Sequence, residues 1–294
     1  MYLVIGANGF LGSYMLKNIL EKTNDFVIAV ARNIERVTEN RRIKWSSCDI
    51  ANVVQVNRLC KEMEQYTDIK VIFLAAYHNP DLVEKNPQLA WNINVTSLSY
   101  FINSLQNVKC FFYPSTDSVY GNSIDGYHFR EEDALNPVNT YGRQKCAAES
   151  VVMWYGYNVV RYPFLIAPSL SPVKKHFYDV IAETLASGKK MEMFKDSLRS
   201  SMSFDTGAAL LIDLMENYRE DFPRALNICG DDDLSKYDIG LMMAEKLGVD
   251  SKLVVPISTM SADGIFEAKR AQSTLMDNRK LKEVLGLKEI KLVL

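Results

Sequence analysis

The chain has 294 residues, with 34 Lys and Arg against 36 Asp and Glu and a net charge of −2. That length suits one large α/β domain with a smaller appended lobe. The near-neutral balance excludes a sequence-wide basic field that would attract nucleic acid or an anionic membrane. An anionic substrate would have to be held by a few local arginines.

The first 170 residues alternate short apolar runs with helical patterns. Strands are expected over Tyr2–Ile5, Phe26–Ala31, Val71–Ala75, Cys110–Ser115 and Asn158–Tyr162, with a third strand ending near Ser47. Helices are expected over Leu11–Glu21, Val53–Glu64, Pro87–Ser104 and Thr140–Tyr155. Runs such as Val71-Ile72-Phe73-Leu74-Ala75 lack polar alternation, as strands covered on both faces do. The rhythm changes after Pro168: helices around Phe177–Ser187, Thr206–Asn217 and Lys236–Leu247 surround one strand at Ala225–Cys229, and the Met-rich run 191–202 reads as lobe packing. The fold class is therefore α/β, a Rossmann-type doubly wound parallel sheet over residues 1–168 with a smaller substrate lobe over 169–294 whose segments cross back to the sheet.

Five scattered cysteines, with no CxxC pair and no Cys/His cluster at zinc spacing, read as reduced thiols and give no metal set. The chain opens directly on a strand, leaving no room for a signal peptide, and the apolar stretch from Val151 to Pro168 is interrupted by Asn158 and Arg161. A cytoplasmic location is expected.

Gly6-Ala7-Asn8-Gly9-Phe10-Leu11-Gly12 turns from the first strand into the first helix. Glycines there let the backbone approach a pyrophosphate, and the helix start offers free N–H groups with a positive dipole end. The second strand ends Ala29-Val30-Ala31-Arg32-Asn33, without the acid that holds adenine ribose hydroxyls in NAD enzymes. Arg32 there suits a 2′-phosphate, which favours NADP(H) over NAD(H). Asp49 reads either as an adenine contact or as a helix cap.

Tyr141 and Lys145 are four residues apart at the start of a helix and so share a face. An ammonium beside a phenol lowers its pKa and readies it for proton transfer. Thr116, in Tyr113-Pro114-Ser115-Thr116-Asp117-Ser118, follows a strand at the sheet edge where α/β proteins bind ligands. A hydroxyl at that point can hydrogen-bond the reacting oxygen beside Tyr141, or simply its own backbone.

These segments, together with Asn136-Pro137-Val138-Asn139-Thr140-Tyr141-Gly142, are similar to those of the extended short-chain dehydrogenase/reductases, the nucleotide-sugar epimerase and dehydratase group. The resemblance implies that Thr116, Tyr141 and Lys145 form a catalytic triad, with Lys145 also gripping the nicotinamide ribose. Ala75-Ala76-Tyr77, followed by Asp81 and Glu84, resembles the dTDP-4-dehydrorhamnose reductases and places Ala75 and Ala76 along the cofactor. Two departures bear on the reaction. Dehydratases have Asp-Glu where this chain has Asp117-Ser118, and the Gly-Phe-Leu-Gly loop is commoner in epimerases.

The same resemblance makes Arg199 and Arg270 candidates to clamp a sugar-nucleotide pyrophosphate, a task for which the guanidinium fork is suited. His78, after the fourth strand, and His176, before the first lobe helix, are candidate substrate contacts. In GDP-fucose synthases a histidine comparably placed to His176 exchanges sugar protons, with a cysteine where this chain has Ser118. Three readings follow: an NADPH-dependent reductase of a 4-keto nucleotide sugar, an epimerase with bound NAD(P), or a non-catalytic NADP(H)-sensing protein. The resemblance implies that the Pro87–Ser104 and Thr140–Tyr155 helices pair across a two-fold axis, and Val151, Val152, Trp154 and Tyr155 make the second more apolar than one buried face needs, so a homodimer is expected.

Overall fold

The computed structural model describes residues 1–35, 40–171, 174–259 and 266–294. The strands are β1 (Tyr2–Ile5), β2 (Val27–Ala31), β3 (Ile43–Ser47), β4 (Ile69–Phe73), β5 (Val108–Thr116), β6 (His128–Phe129), β7 (Asn158–Tyr162), β8 (Met191–Phe194), β9 (Ala225–Asn227), β10 (Val254–Ile257) and β11 (Leu275–Met276). The helices are α1 (Phe10–Lys22), α2 (Val53–Met63), α3 (Pro80–Lys85), α4 (Pro87–Trp91), α5 (Ser97–Ser104), α6 (Thr140–Trp154), α7 (Phe177–Ala186), α8 (Phe204–Glu216), α9 (Lys236–Leu247) and α10 (Arg279–Leu285).

Seven strands form one parallel sheet in the order β3-β2-β1-β4-β5-β7-β9. Val4 of β1 sits in register with Ala29 on one side and Ile72 on the other. Every residue of β1, β2 and β4 is buried, which is why these strands are apolar throughout. Residues of α1 and α8 bury one face of the sheet, and those of α2, α5 and α6 bury the other. The strand order reverses between β1 and β4, opening a crevice at their carboxyl ends.

Burial of Tyr178, Ile181, Leu185, Met193, Ile239, Met243 and Val254 builds a separate core for α7, β8, α9 and β10. Between these elements the chain returns to the main body: α8 packs on α1 and β9 extends the sheet. Of the Met-rich run, Met193 enters the lobe core while Met202 enters the main one.

The expected single helix Pro87–Ser104 is interrupted by a π-turn at Asn92–Thr96. Within it Asn94 accepts from the Tyr77 N–H at 2.7 Å and donates to the Tyr77 carbonyl at 3.2 Å and to Gln144 of α6 at 2.9 Å. The turn thus ties the segment after β4 to α6. Two-residue pairing of β6 with β11, and pairing of β8 with β10, join residues far apart in sequence and carry no local signal. Among the described residues no helix is long and apolar enough to cross a membrane.

Candidate active site

The glycine loop leaves β1 at the sheet crevice. A Cβ on Gly12 would lie 2.5 Å from the Gly6 carbonyl oxygen and 2.6 Å from that of Ala7, so no larger residue fits this close strand–helix approach. The first turn of α1 has no acidic residue, and Gly9 at its cap supplies no side-chain acceptor. Helix N–H groups left uncapped beside an open cleft are what a pyrophosphate requires. The residues present fit a dinucleotide.

On the other side, Gly142 lets α6 pack against the turn after β5: a Cβ there would meet the Ser118 carbonyl oxygen at 2.5 Å. A buried ion pair pins the same helix to the sheet, with Glu149 of α6 2.7 Å from Arg161 of β7. Tyr141 and Lys145 are thereby brought to the cleft beside Thr116. A single cavity of about 1170 Å³ is bordered by Gly6, Gly9, Phe10, Leu11, Gly12, Ala76, His78, Thr116, Tyr141, Lys145, His176, Arg199 and Arg270. Asn8, Arg32, Asp49 and Ala75, also expected at the cofactor, do not border it.

The electrostatics differ from the expected pairing of Tyr141 with Lys145. The Lys145 ammonium donates to the Tyr113 hydroxyl at 2.6 Å and to the Pro114 carbonyl at 2.8 Å. Burial lowers its pKa to about 7, against a weaker opposing pull from Glu149. Burial also raises the Tyr141 pKa, and the nearby Asp117 charge raises it further. The phenol is therefore protonated at neutral pH, not primed as phenolate. Thr116 Oγ1 donates to Asp117 at 3.0 Å and accepts from the Ser118 N–H at 3.2 Å, so this hydroxyl bonds its own turn while bordering the cleft.

Arg199 departs from the expected open clamp. Its Nε lies 3.2 Å from Asp117, and its terminal nitrogens donate to the carbonyls of Leu198 (2.7 Å), Ala271 (2.7 Å) and Gln272 (2.9 Å). It staples the Thr116–Ser118 turn to the 271–272 strap. Arg270 is held by Asp81 at 2.7 Å. Asp81 also accepts from the Ala268 N–H, and Asn139 donates to the Lys269 carbonyl, so the strap closes over the start of α6.

His176 Nδ1 accepts from the Tyr178 N–H at 3.3 Å in a capping box that starts α7. The proton of the neutral ring is then on Nε2. Phe10 and Phe204 stand edge-on to it, each 4.9 Å between ring centres, and burial pulls its pKa down to about 4. Such a ring can donate a hydrogen bond but is a poor proton shuttle at neutral pH, which weighs against its expected role in exchanging sugar protons. His78 borders the cleft, where desolvation lowers its pKa. Asp49 does not cap α2: Asn52 does, while Asp49 closes a turn by accepting from Ala51 N–H. Arg32 is exposed at the end of β2, and among the described residues no carboxylate pairs with it. Among the described residues no cluster of three or more His, Cys, Asp or Glu is placed to hold a metal.

Sequence reasoning missed Tyr113 as the partner of Lys145, Asp117 as the partner of Arg199, and Lys236 on the cleft wall. Asp117 was visible only as the place where a dehydratase signature begins. Lys236 lies at the start of α9, in a stretch outside the segments that carry the family resemblance.

Comparison with known proteins sets this site in a family. The chain is 25% identical over 287 residues to a probable low-salt glycan biosynthesis reductase of Haloferax volcanii, covering 96% of this chain and 91% of that one. It is also 23% identical over 290 residues to the methionine adenosyltransferase 2 subunit beta of Danio rerio, covering 97% and 84%. The fold superposes on a dTDP-4-dehydrorhamnose reductase from Bacillus anthracis, solved in complex with NADP, with a TM-score of 0.78 at 20% identity, over 98% of this chain and 94% of that one. The family profile described as RmlD substrate binding domain matches residues 1–291. The chain belongs to that family, and it is an NAD(P)-dependent enzyme of the extended short-chain dehydrogenase/reductase type.

Proposed function

We propose that the chain reduces the 4-keto group of a nucleotide-linked sugar and takes NADPH in preference to NADH. The observation that carries this reading is the continuity of one cleft from the glycine loop, past Thr116, Tyr141 and Lys145, to the cations of the lobe. A bound nicotinamide cofactor would supply the hydride. The remaining work falls to side chains of this chain.

Tyr141, a phenol on the cleft wall that is protonated at neutral pH, donates its proton to the sugar O4 as charge develops there. Thr116 turns its hydroxyl from Asp117 to the same oxygen. Lys145, held by Tyr113 and Pro114, receives the nicotinamide ribose. Phe10, Phe164 and Phe204 line the same cleft with apolar surface. Arg32, exposed with no carboxylate partner among the described residues, is the contact for a 2′-phosphate.

Methionine adenosyltransferase 2 subunit beta, by its name a subunit of another enzyme, aligns over nearly the whole chain. That favours a second reading, a cofactor-binding protein whose chemistry is secondary, because fold does not fix function. The experiment is to purify the protein and measure the cofactor it retains, then add NADPH and a 4-keto nucleotide sugar. A protein that arrives empty and then oxidises NADPH is a reductase. Retained oxidised cofactor with sugar turnover and no net oxidation is an epimerase, and binding without turnover is the sensor.

A further inference from the structure

The cations bordering the cleft are not equivalent. Arg199 faces Asp117 at 3.2 Å and Arg270 faces Asp81 at 2.7 Å, so each arrives already neutralised. Lys145 is bonded to Tyr113 and Pro114, and Lys269 is exposed. Lys236, the first residue of α9, is different. Its ammonium lies against the rings of Phe177 and Phe164, 5.1 and 5.7 Å from their centres. Among the described residues it has neither a carboxylate partner nor a hydrogen-bond acceptor. The charged groups nearest it are Arg199 and Arg270, which repel it, and burial with those two charges holds its pKa below the ordinary lysine value.

An ammonium carries three N–H donors, and withdrawing them from water without an acceptor is costly. The aromatic faces offset part of that cost but accept none of the three in the manner of an oxygen. A position that is cationic, partly dry and on the wall of a ligand cleft is completed by an anion entering that cleft. Among the described residues on the cleft wall, the two arginines are matched by carboxylates, Lys145 by two oxygens and Lys269 is exposed, so Lys236 is the shielded cation that a new negative charge would complete. We infer that Lys236, a cation without a polar partner among the described residues, receives an oxyanion of the substrate, either a phosphoryl oxygen of the nucleoside diphosphate or a carboxylate on the sugar.

The inference rests on the nucleotide-sugar reading, and calorimetry separates the two. The protein, loaded with NADP⁺, is titrated with dTDP, UDP and UDP-glucuronic acid, for wild type and for Lys236→Met, Lys236→Gln and Lys236→Arg. Unchanged NADP⁺ affinity in each variant reports an intact fold. Loss of a charge-assisted contact should weaken binding about ten- to hundredfold in the Met and Gln variants. Lys236→Arg, which keeps the charge, should recover most of it. Weakening with dTDP or UDP assigns the lysine to the diphosphate, and weakening with UDP-glucuronic acid alone assigns it to the sugar carboxylate. Equal binding in wild type and both neutral variants overturns the inference and leaves the nucleotide-sugar reading standing. No binding of any of the three to wild type overturns that reading, and the inference with it.

Discussion

Lys145→Met removes a cation that the fold holds at a cost. Lys145 is 3% exposed, so solvent does little to screen it, and its pKa falls from 10.5 to about 7. Between those two pH values the unfolded chain holds a proton on this lysine that the folded protein has released. Stability therefore rises with pH across that window and is lost as pH falls toward 7, with a limiting slope of about 1.4 kcal/mol per pH unit. Between pH 7 and pH 9 this one residue should add about 2 kcal/mol to the stability of the cofactor-free protein. Methionine has nearly the same volume and no proton to exchange, so the variant lacks that gain. Urea denaturation of both proteins at pH 7, 8 and 9 isolates the difference, because all other titrating groups are common to both. The stability of wild type relative to variant should climb by about 2 kcal/mol over that range. Parallel profiles would show that Lys145 is not a depressed lysine, and would remove the reasoning about its burial.

Arg32→Ala should raise the Kd for NADPH about tenfold or more while leaving that for NADH nearly unchanged, as loss of a contact to the 2′-phosphate would; equal effects on the two cofactors in a fluorescence titration would refute the assignment. Arg199→Met should cost about 3–5 kcal/mol at pH 7, because it leaves Asp117 buried and unpaired. The loss should shrink as pH falls and Asp117, whose pKa burial already raises, takes up a proton. Unchanged thermal stability with a raised KM would instead restore the open-clamp reading. Trp154 is 86% exposed beside Tyr155 at the end of α6, and light scattering should give the mass of a homodimer; a monomer would refute the use of this surface in assembly.

Much of the sheet was legible because its signals are local. β1 and β2 are unbroken apolar runs, and α9 begins at a Ser235–Asp238 capping box and stops at Gly248 in the left-handed conformation. The cleft residues Gly12, Thr116, Tyr141 and Lys145 were legible for the same reason, each standing in a short spaced segment. The π-turn at Asn92–Thr96 was not, since the partners of the Asn94 side chain, Tyr77 and Gln144, lie outside its helix. Nor was the true partner of Lys145: Tyr113 is 32 positions away, whereas Tyr141 is one helical turn away. The stapled state of Arg199 depends on Asp117 and on carbonyls more than seventy positions distant. Side-chain partners across the fold leave no spacing to read.

The central claim is that Tyr141 delivers the proton in an NADPH-dependent reduction. Following NADPH oxidation with a dTDP-4-keto-6-deoxy sugar, for wild type and Tyr141→Phe side by side, tests it most directly. The variant should bind NADPH almost as wild type does, since the ring is kept, and turn over about a hundredfold to ten-thousandfold more slowly, the range for loss of a general acid. Equal rates in the two proteins would remove Tyr141 from the chemistry and contradict the account.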